Sequence, residues 1–273
     1  MSRRVLTLFV GISCFSLLQL LLPSQKTSCP PSLHFYWVIT SSRLHLVNRV
    51  ALESIFLHHP TACLSLYMRA GMDEAEAVDA LVQRLKSDGY QAETVRYNFT
   101  TLLSEAVVNI NSDLILKDMD TFLPRVDEYE RGEFWTYSHE SNFVRLLVIL
   151  QRGGIYIDSD LIVTKPFAGD FQNSVGHEMP MGMDGGEKVN NNVLIFEPGH
   201  PFLIEYLHQM FISYDPKLYH ANGPNLITKV YQMAQPKVYN YTVLRGTTFQ
   251  PVHLNSMPAM FRWYPSSKTG KWF

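Results

Sequence analysis

One stretch constrains this chain more than any other: Gly153-Gly154-Ile155-Tyr156-Ile157-Asp158-Ser159-Asp160. Upstream of it, residues 138–152 read as a helix. Phe143, Leu146, Leu147 and Leu150 recur at i, i+3, i+4 and i+7 and share one buried face. Asn142 and Arg145 stand three apart, on a different stripe at the edge of that face. Gly153 is placed to end the helix in a left-handed conformation. Ile155-Tyr156-Ile157 reads as a short buried strand, and Asp158 and Asp160 fall where it stops.

That ending has a chemical use. In a loop just past a strand, two aspartates one residue apart can converge on one hard cation. Oxygen ligands suit Mn²⁺ or Mg²⁺, and such ions take few carboxylates and complete their shell on substrate phosphates. Asp158 and Asp160 are therefore the candidate metal ligands, with a diphosphate leaving group as the charge to be neutralised. The plainer reading of Asp158-Ser159-Asp160 is a polar turn. A second enzyme class, the Asp-x-Asp phosphatases, uses the first Asp as a nucleophile. It places the motif after the first strand, with a Lys and further acidic pairs downstream, whereas here several strands come first.

The chain before the motif alternates. Leu33–Thr40 reads as the first core strand and Leu46–His58 as a helix stopped by Pro60. Ala62–Met68 is the second strand. A capping-box pair, Asp73 and Glu76, opens a helix that Gly89 closes, and Ala92–Tyr97 is the third strand. This βαβαβ order argues for a parallel sheet covered by helices, with ligands bound beyond the carboxyl ends of the strands, where Asp158 and Asp160 fall. Residues 98–137 mix acidic side chains with Phe122, Tyr129, Phe134, Trp135 and Tyr137. They read either as a solvated helix and loop or as part of an acceptor-sugar surface. After the motif, Leu161-Ile162-Val163 reads as a continuing strand and 176–190 as a loop holding Asp184 and Glu187. Val193–Phe196 reads as a strand with Asn191 at its beginning, and Pro201 as a helix start.

Composition sets the class. The chain has 273 residues, 46% hydrophobic and 18% charged, enough for one domain with a full core. A formal net charge of −2 gives no support for nucleic acid as a partner. Arg3 and Arg4 precede the apolar run Val5–Leu22, about 18 residues, which just spans a bilayer. A cleaved signal peptide is the alternative, but no small-x-small site follows Leu22. The expected organisation is a cytoplasmic tail (1–4), a signal anchor (5–22), a stem (23–33) and one lumenal domain (34–273). The sequons Asn98-Phe99-Thr100 and Asn240-Tyr241-Thr242 agree with a lumenal domain. Cys29 and Cys63 either form a bridge in an oxidising lumen or leave Cys63 as a free buried thiol.

Ser141-x-x-x-Arg145 … Gly153-Gly154-x-Tyr156-x-Asp158-x-Asp160 resembles the signature of the retaining glycosyltransferases of family 32. That family includes Golgi alpha-1,4-galactosyltransferases and alpha-1,4-N-acetylglucosaminyltransferases. Asn191 to Phe196 with Gly199-His200-Pro201-Phe202, and Gly223-Pro224-x-Leu226-x-Thr228, resemble later segments of the family in the same order. The likeness spans residues 34–273. It implies a GT-A fold, a single Rossmann-like α/β domain with a mixed, mainly parallel central sheet. It also implies a nucleotide-sugar donor, with UDP-hexose preferred, Mn²⁺ or Mg²⁺, a glycan or glycolipid acceptor, and a single-pass type II place in the Golgi membrane. In site terms, Asp160 binds the ion directly, while Asp158 contacts it and the ribose. Arg145 bonds the donor sugar or its phosphate. Asn142 takes the donor-sugar position, and Asn191 orients a donor hydroxyl. Tyr156 either packs beneath the metal loop or touches donor. Two departures stand out. The family usually carries Asp where this chain has Asn142. A closing His-x-Trp segment beyond the region matching Met260–Phe273 has no equivalent, which suggests a C-terminally incomplete domain. A glycan- or donor-binding relative with impaired catalysis is the alternative function.

Overall fold

The structure, a computed structural model, describes residues 29–249 apart from 41–43, 73–74, 111, 168, 170, 179–187 and 234–235. The expected anchor at 5–22, Asp73 of the capping box, Asp184 and Glu187, and the C-terminal segment lie outside the described residues. Among the described residues, no helix is long and apolar enough to cross a membrane.

The first half follows the alternation read from the sequence: β1 (His34–Ile39), α1 (Leu46–His58), β2 (Cys63–Arg69), α2 (Ala75–Ser87) and β3 (Gln91–Tyr97). Helices α3 (Phe99–Ile110) and α4 (Asp113–Phe122) follow, then a short helical turn and one wide turn at Trp135–His139 that leads into α5 (Glu140–Arg152). The rest comprises β4 (Gly154–Ile157), β5 (Ser174–His177), β6 (Val189–Phe196), α6 (Pro201–Ser213), α7 (Pro224–Met233) and β7 (Thr242–Leu244), with single helical turns at Pro236–Tyr239 and Gly246–Phe249.

The strands form one seven-stranded sheet in the order β3-β2-β1-β4-β6-β5-β7. Only β6 runs against the others, antiparallel to both β4 and β5. The sheet is mixed and mainly parallel, as expected. β1 and β2 are apolar almost throughout because both faces are covered. Phe35, Trp37, Leu64, Leu66 and Met68 pack on α1 and α2. Tyr36, Val38, Tyr67 and Tyr97 face the larger core of α3, α5, α6 and α7. Chain order reverses between β1 and β4: the chain runs outward through β2 and β3, then returns to the other side of β1. A crevice opens beyond the carboxyl ends of such a strand pair.

Several local readings change. Leu161–Val163 joins no ladder; the Val163 amide donates instead to Ser54 Oγ, at 2.8 Å. β6 begins at Val189, so Asn191 is its third residue and not a residue ahead of it. Gly176, read as the start of a loop, lies in β5. The aromatics of 98–137 are chiefly core: Phe122, Tyr129 and Trp135 are buried with Phe99, Phe143 and Phe211. Phe134 is half-buried beside Tyr219, with ring centroids 5.7 Å apart.

Cys29 and Cys63 are joined, with Cα atoms 6.0 Å apart, tying the segment before β1 to the first residue of β2. Closing a loop of this span restricts the unfolded chain by about 3–4 kcal/mol. Reduction, or Cys63→Ser, is expected to lower the free energy of unfolding by about that amount. Denaturant titration with and without dithiothreitol measures it, and a change below about 1 kcal/mol would mean that the bridge contributes little.

Candidate active site

Helix α5 and strand β4 set the site. α5 is buried on every side from Glu140 to Leu150, because α3 and α6 pack on the face turned away from the sheet. The stripe bearing Asn142 and Arg145 is turned toward β4 and β6 and is also inside the protein, with exposures of 3% and 6%. The helix stops at Gly153, with φ 65 and ψ −173. The positive φ is as expected, but the ψ is extended, a region open essentially to glycine. A Cβ there would stand 2.7 Å from Pro198 Cδ. This reversal feeds the chain directly into β4, and Asp158 emerges at its carboxyl end.

Arg145 braces Asp158 from behind. Its Nη1 lies 3.1 Å from Asp158 Oδ1 and donates to the Asn191 carbonyl at 2.8 Å. Nε donates to the Ser141 carbonyl at 3.1 Å and Nη2 to Ser141 Oγ at 2.8 Å. Burial opposes the guanidinium charge, and Asp158 above all, then Tyr156 and Tyr206, outweigh that cost. The guanidinium carbon sits 4.5 Å from the centre of the Tyr156 ring, a cation–π contact. Tyr156 is buried beneath the loop, and its hydroxyl donates to Asp158 Oδ1 at 2.6 Å. Burial, more than any neighbour, pushes this phenol's pKa well up and keeps it a donor.

The loop is held from its other side too. The Asp158 amide donates to Asn192 O at 2.9 Å, and the Leu161 amide to Asp158 O at 3.1 Å. Asn48, in the first turn of α1, accepts from the His45 amide at 2.7 Å and donates to Ser159 O at 2.9 Å. Asp160 is exposed as a residue, yet its carboxyl is pushed up in pKa, first by lost hydration and next by the Asp158 carboxylate. Two acidic groups so placed relax when a cation joins them. Among the described residues no group of three or more His, Cys, Asp or Glu side chains is arranged for a metal. An ion at this pair would therefore complete its shell with phosphate and water oxygens, the habit of Mn²⁺ and Mg²⁺. The pair fits such an ion: Arg145 and Tyr156 both engage Oδ1, and Oδ2 is the oxygen suited to a ligand.

Asn142 and Asn191 meet. Asn191 Nδ2 donates to Asn142 Oδ1 at 2.9 Å and to Tyr206 Oη at 3.2 Å, and Asn142 Nδ2 donates to Ser138 Oγ at 3.3 Å. Gly223, just before α7, closes against this amide: a Cβ on it would lie 2.9 Å from Asn142 Nδ2. All six residues singled out from the sequence thus meet around the end of β4. Asp158 and Asp160 reach outward, while Arg145, Tyr156, Asn142 and Asn191 form the buried support. Sequence reading missed Asn48, Ser141's double contact with Arg145, and Tyr206. Asn48 carries a usable signal, an Asn in the first turn of a helix that opens beside the crevice. Tyr206 looks like any core aromatic.

A mainly parallel sheet with a braced Asp-x-Asp pair at its order reversal fits a sugar-transferring class of enzyme. Residues 48–181 match the model of the glycosyltransferase sugar-binding region containing a DXD motif. Residues 195–273 match that of the alpha 1,4-glycosyltransferase conserved region. An uncharacterised Arabidopsis thaliana protein is 25% identical over 206 residues, 76% of this chain and 29% of the relative. Lactosylceramide 4-alpha-galactosyltransferase of Mus musculus is 30% identical over 92 residues, 34% of this chain and 24% of the relative. Alpha-1,4-N-acetylglucosaminyltransferase of Homo sapiens is 29% identical over 90 residues, 33% of this chain and 24% of the relative. The matched part of the chain spans 24–29% of the length of these relatives. The PaToxG glycosyltransferase superposes with a TM-score of 0.54 at 16% identity, over 78% of this chain and 74% of that one. The UDP-bound glycosyltransferase domain of the YGT toxin superposes with a TM-score of 0.52 at 9% identity, over 78% and 79%. These two likenesses are of fold. With both family regions matched in order along it, the chain belongs to the DXD-containing glycosyltransferases of family 32.

Proposed function

We propose that this chain is the donor-binding and catalytic unit of a Golgi membrane-anchored hexosyltransferase. It moves a hexose from UDP to a glycan or glycolipid with retention of anomeric configuration, and depends on Mn²⁺ or Mg²⁺. The observation that carries the reading is Asp158, fixed by Arg145 and Tyr156 at the strand-order reversal, with Asp160 beside it. The mouse lactosylceramide galactosyltransferase and the human N-acetylglucosaminyltransferase support transfer of a hexose or its N-acetylamino form, the former to a glycolipid, and the UDP-bound toxin domain supports a UDP donor on this fold. The Cys29–Cys63 bridge favours an oxidising lumen, and Val5–Leu22 supplies the anchor.

A cation held by Asp158 and Asp160 would supply charge neutralisation to a departing diphosphate. The chain's own residues do the rest. Arg145 and Tyr156 hold Asp158 in one orientation, so little reorganisation is needed when donor arrives. Asn48 holds Ser159 and with it the turn between the two carboxylates. The joined amides of Asn142 and Asn191 back the donor-sugar side from inside the protein without adding charge. The test is donor hydrolysis and transfer by the full chain with UDP-galactose, UDP-N-acetylglucosamine and GDP-mannose, each with and without Mn²⁺. Metal-dependent release of UDP from one UDP-hexose is expected; metal-independent turnover, or release of inorganic phosphate alone, overturns the reading.

Asn142 favours a second reading, a relative that binds donor but transfers poorly. Asn142→Asp distinguishes the two. Asn191 Nδ2 remains a donor to the new carboxylate, and the Ser138 hydroxyl can turn to donate as well. The expected result is kcat/KM for transfer that is unchanged or raised. A large loss would show a site rebuilt around the amide.

A further inference from the structure

Two sequons take no part in the site described above, and the fold treats them alike. In Asn98-Phe99-Thr100, Asn98 and Thr100 are exposed while Phe99 is buried among Trp135 and Phe143. In Asn240-Tyr241-Thr242, Asn240 and Thr242 are exposed while Tyr241 is buried against Phe202. Each aromatic anchors its tripeptide to the core and leaves both recognition groups in solvent. Their places in the sheet match as well. Asn98 directly follows β3, and Thr242 is the first residue of β7. β3 and β7 are the two outer strands of the described sheet.

We propose that Asn98 and Asn240 both carry N-linked oligosaccharides, so that each lateral margin of the sheet bears a glycan. The proposal goes beyond transferase function and rests on the lumenal reading given above. In the modification, Asn Nδ2 forms a bond to the anomeric carbon of a lipid-diphosphate-linked oligosaccharide. The bond from that carbon to the diphosphate oxygen breaks, Nδ2 gives up one proton, and nothing is oxidised or reduced.

The local geometry accommodates this at both positions. Asn98 caps α3 through Oδ1, which accepts from the Thr101 amide at 3.1 Å and from Thr101 Oγ1 at 3.3 Å. The cap uses the oxygen and not Nδ2, so it survives attachment of a sugar. Asn240 sits at φ 53, in a left-handed turn that Asn tolerates better than most residues, and is exposed there. The physical benefit lies at the margins. An outer strand presents unpaired amides and carbonyls to other chains, and natural sheets cover or block them. A branched glycan at the carboxyl end of β3 and another at the amino end of β7 obstruct such pairing.

Full chain translated with endoplasmic-reticulum microsomes tests this, read by protease protection, N-glycosidase digestion and mass-spectrometric detection of Asn-to-Asp conversion at each position. The sequons are best removed at threonine, because Asn98→Gln would also remove the helix cap. Wild type is expected to fall by two glycan steps on digestion, Thr100→Ala and Thr242→Val by one each, and the double variant by none. Thr100→Ser restores the lost step. A protease-protected chain that does not shift on digestion overturns the proposal, as does a single variant that keeps both steps. A chain left open to protease refutes the lumenal reading, and the proposal with it. The protected double variant is expected to elute as larger species than wild type; identical assembly states overturn the shielding role.

Discussion

Asp160→Asn is expected to keep its fold and lose metal-dependent donor binding. The side chain is exposed at the end of the loop, and its charge meets the Asp158 carboxylate at an energetic disadvantage. Removing that charge relieves repulsion in the metal-free protein, so stability should stay within about 0.5 kcal/mol or rise slightly. Binding of Mn²⁺ with UDP should weaken by roughly 100-fold, since one of two protein carboxylates no longer neutralises the ion. Calorimetric titration of UDP with and without Mn²⁺ measures this, and thermal unfolding provides the control. Unchanged Mn²⁺-dependent affinity would remove Asp160 from the metal site.

Arg145→Lys has the opposite character: a large cost in stability together with a loss of activity. The guanidinium serves Asp158 Oδ1, Asn191 O, Ser141 O and Ser141 Oγ from three nitrogens spread in a plane. An ammonium is one point with three donors and cannot reach both sides of that fork. At least one buried carbonyl is left without a partner, and Asp158 is less well fixed. The expected loss of unfolding free energy is about 2–4 kcal/mol. Donor affinity should fall with it, because Asp158 Oδ1 is no longer pinned. Urea unfolding and donor titration read the two effects separately. A variant as stable and as active as wild type would reduce these contacts to incidental packing.

The donor-side half of the fold was legible from the chain because its signals are local. Phe143, Leu146, Leu147 and Leu150 mark a buried stripe of α5, on which Phe143 meets Phe99, Phe122 and Phe211 of neighbouring helices, and the double glycine marks its end. An unbroken apolar run such as that from Phe35 to Ile39 marks a strand covered on both faces. The opposite stripe of α5 was not legible. Nothing between Ser141 and Arg145 reveals that β4 and β6 cover that side, so Arg145 read as a donor contact when it is buried behind Asp158. β5 offers a single large apolar side chain, Val175, in four residues, and β7 is three residues long. β5 is placed by its pairing with β6, and β7 in turn by β5, not by their own periodicity. The aromatics of 98–137 carried the right residue types for a sugar platform. Phe122, Tyr129 and Trp135 are instead drawn into a cluster with Phe143 and with residues that lie far away in sequence, among them Phe211 and Tyr214.

The β1–β4 junction bears on how the protein comes into being. Phe35 faces Ile155 in the ladder, about 120 residues further along, the longest span of any strand pair in the sheet and a correspondingly slow closure. During synthesis β1, β2 and β3 can assemble from near neighbours while β4 is still being made. Asp158 has no place until β4 docks beside β1 and β6 docks beside β4. Donor binding would thus report that both pairings are in place. A nucleotide that binds only the finished crevice would pull late intermediates forward by mass action, so a folding defect on either side of this junction should respond to added nucleotide, whereas a defect confined to the margins of the sheet should not.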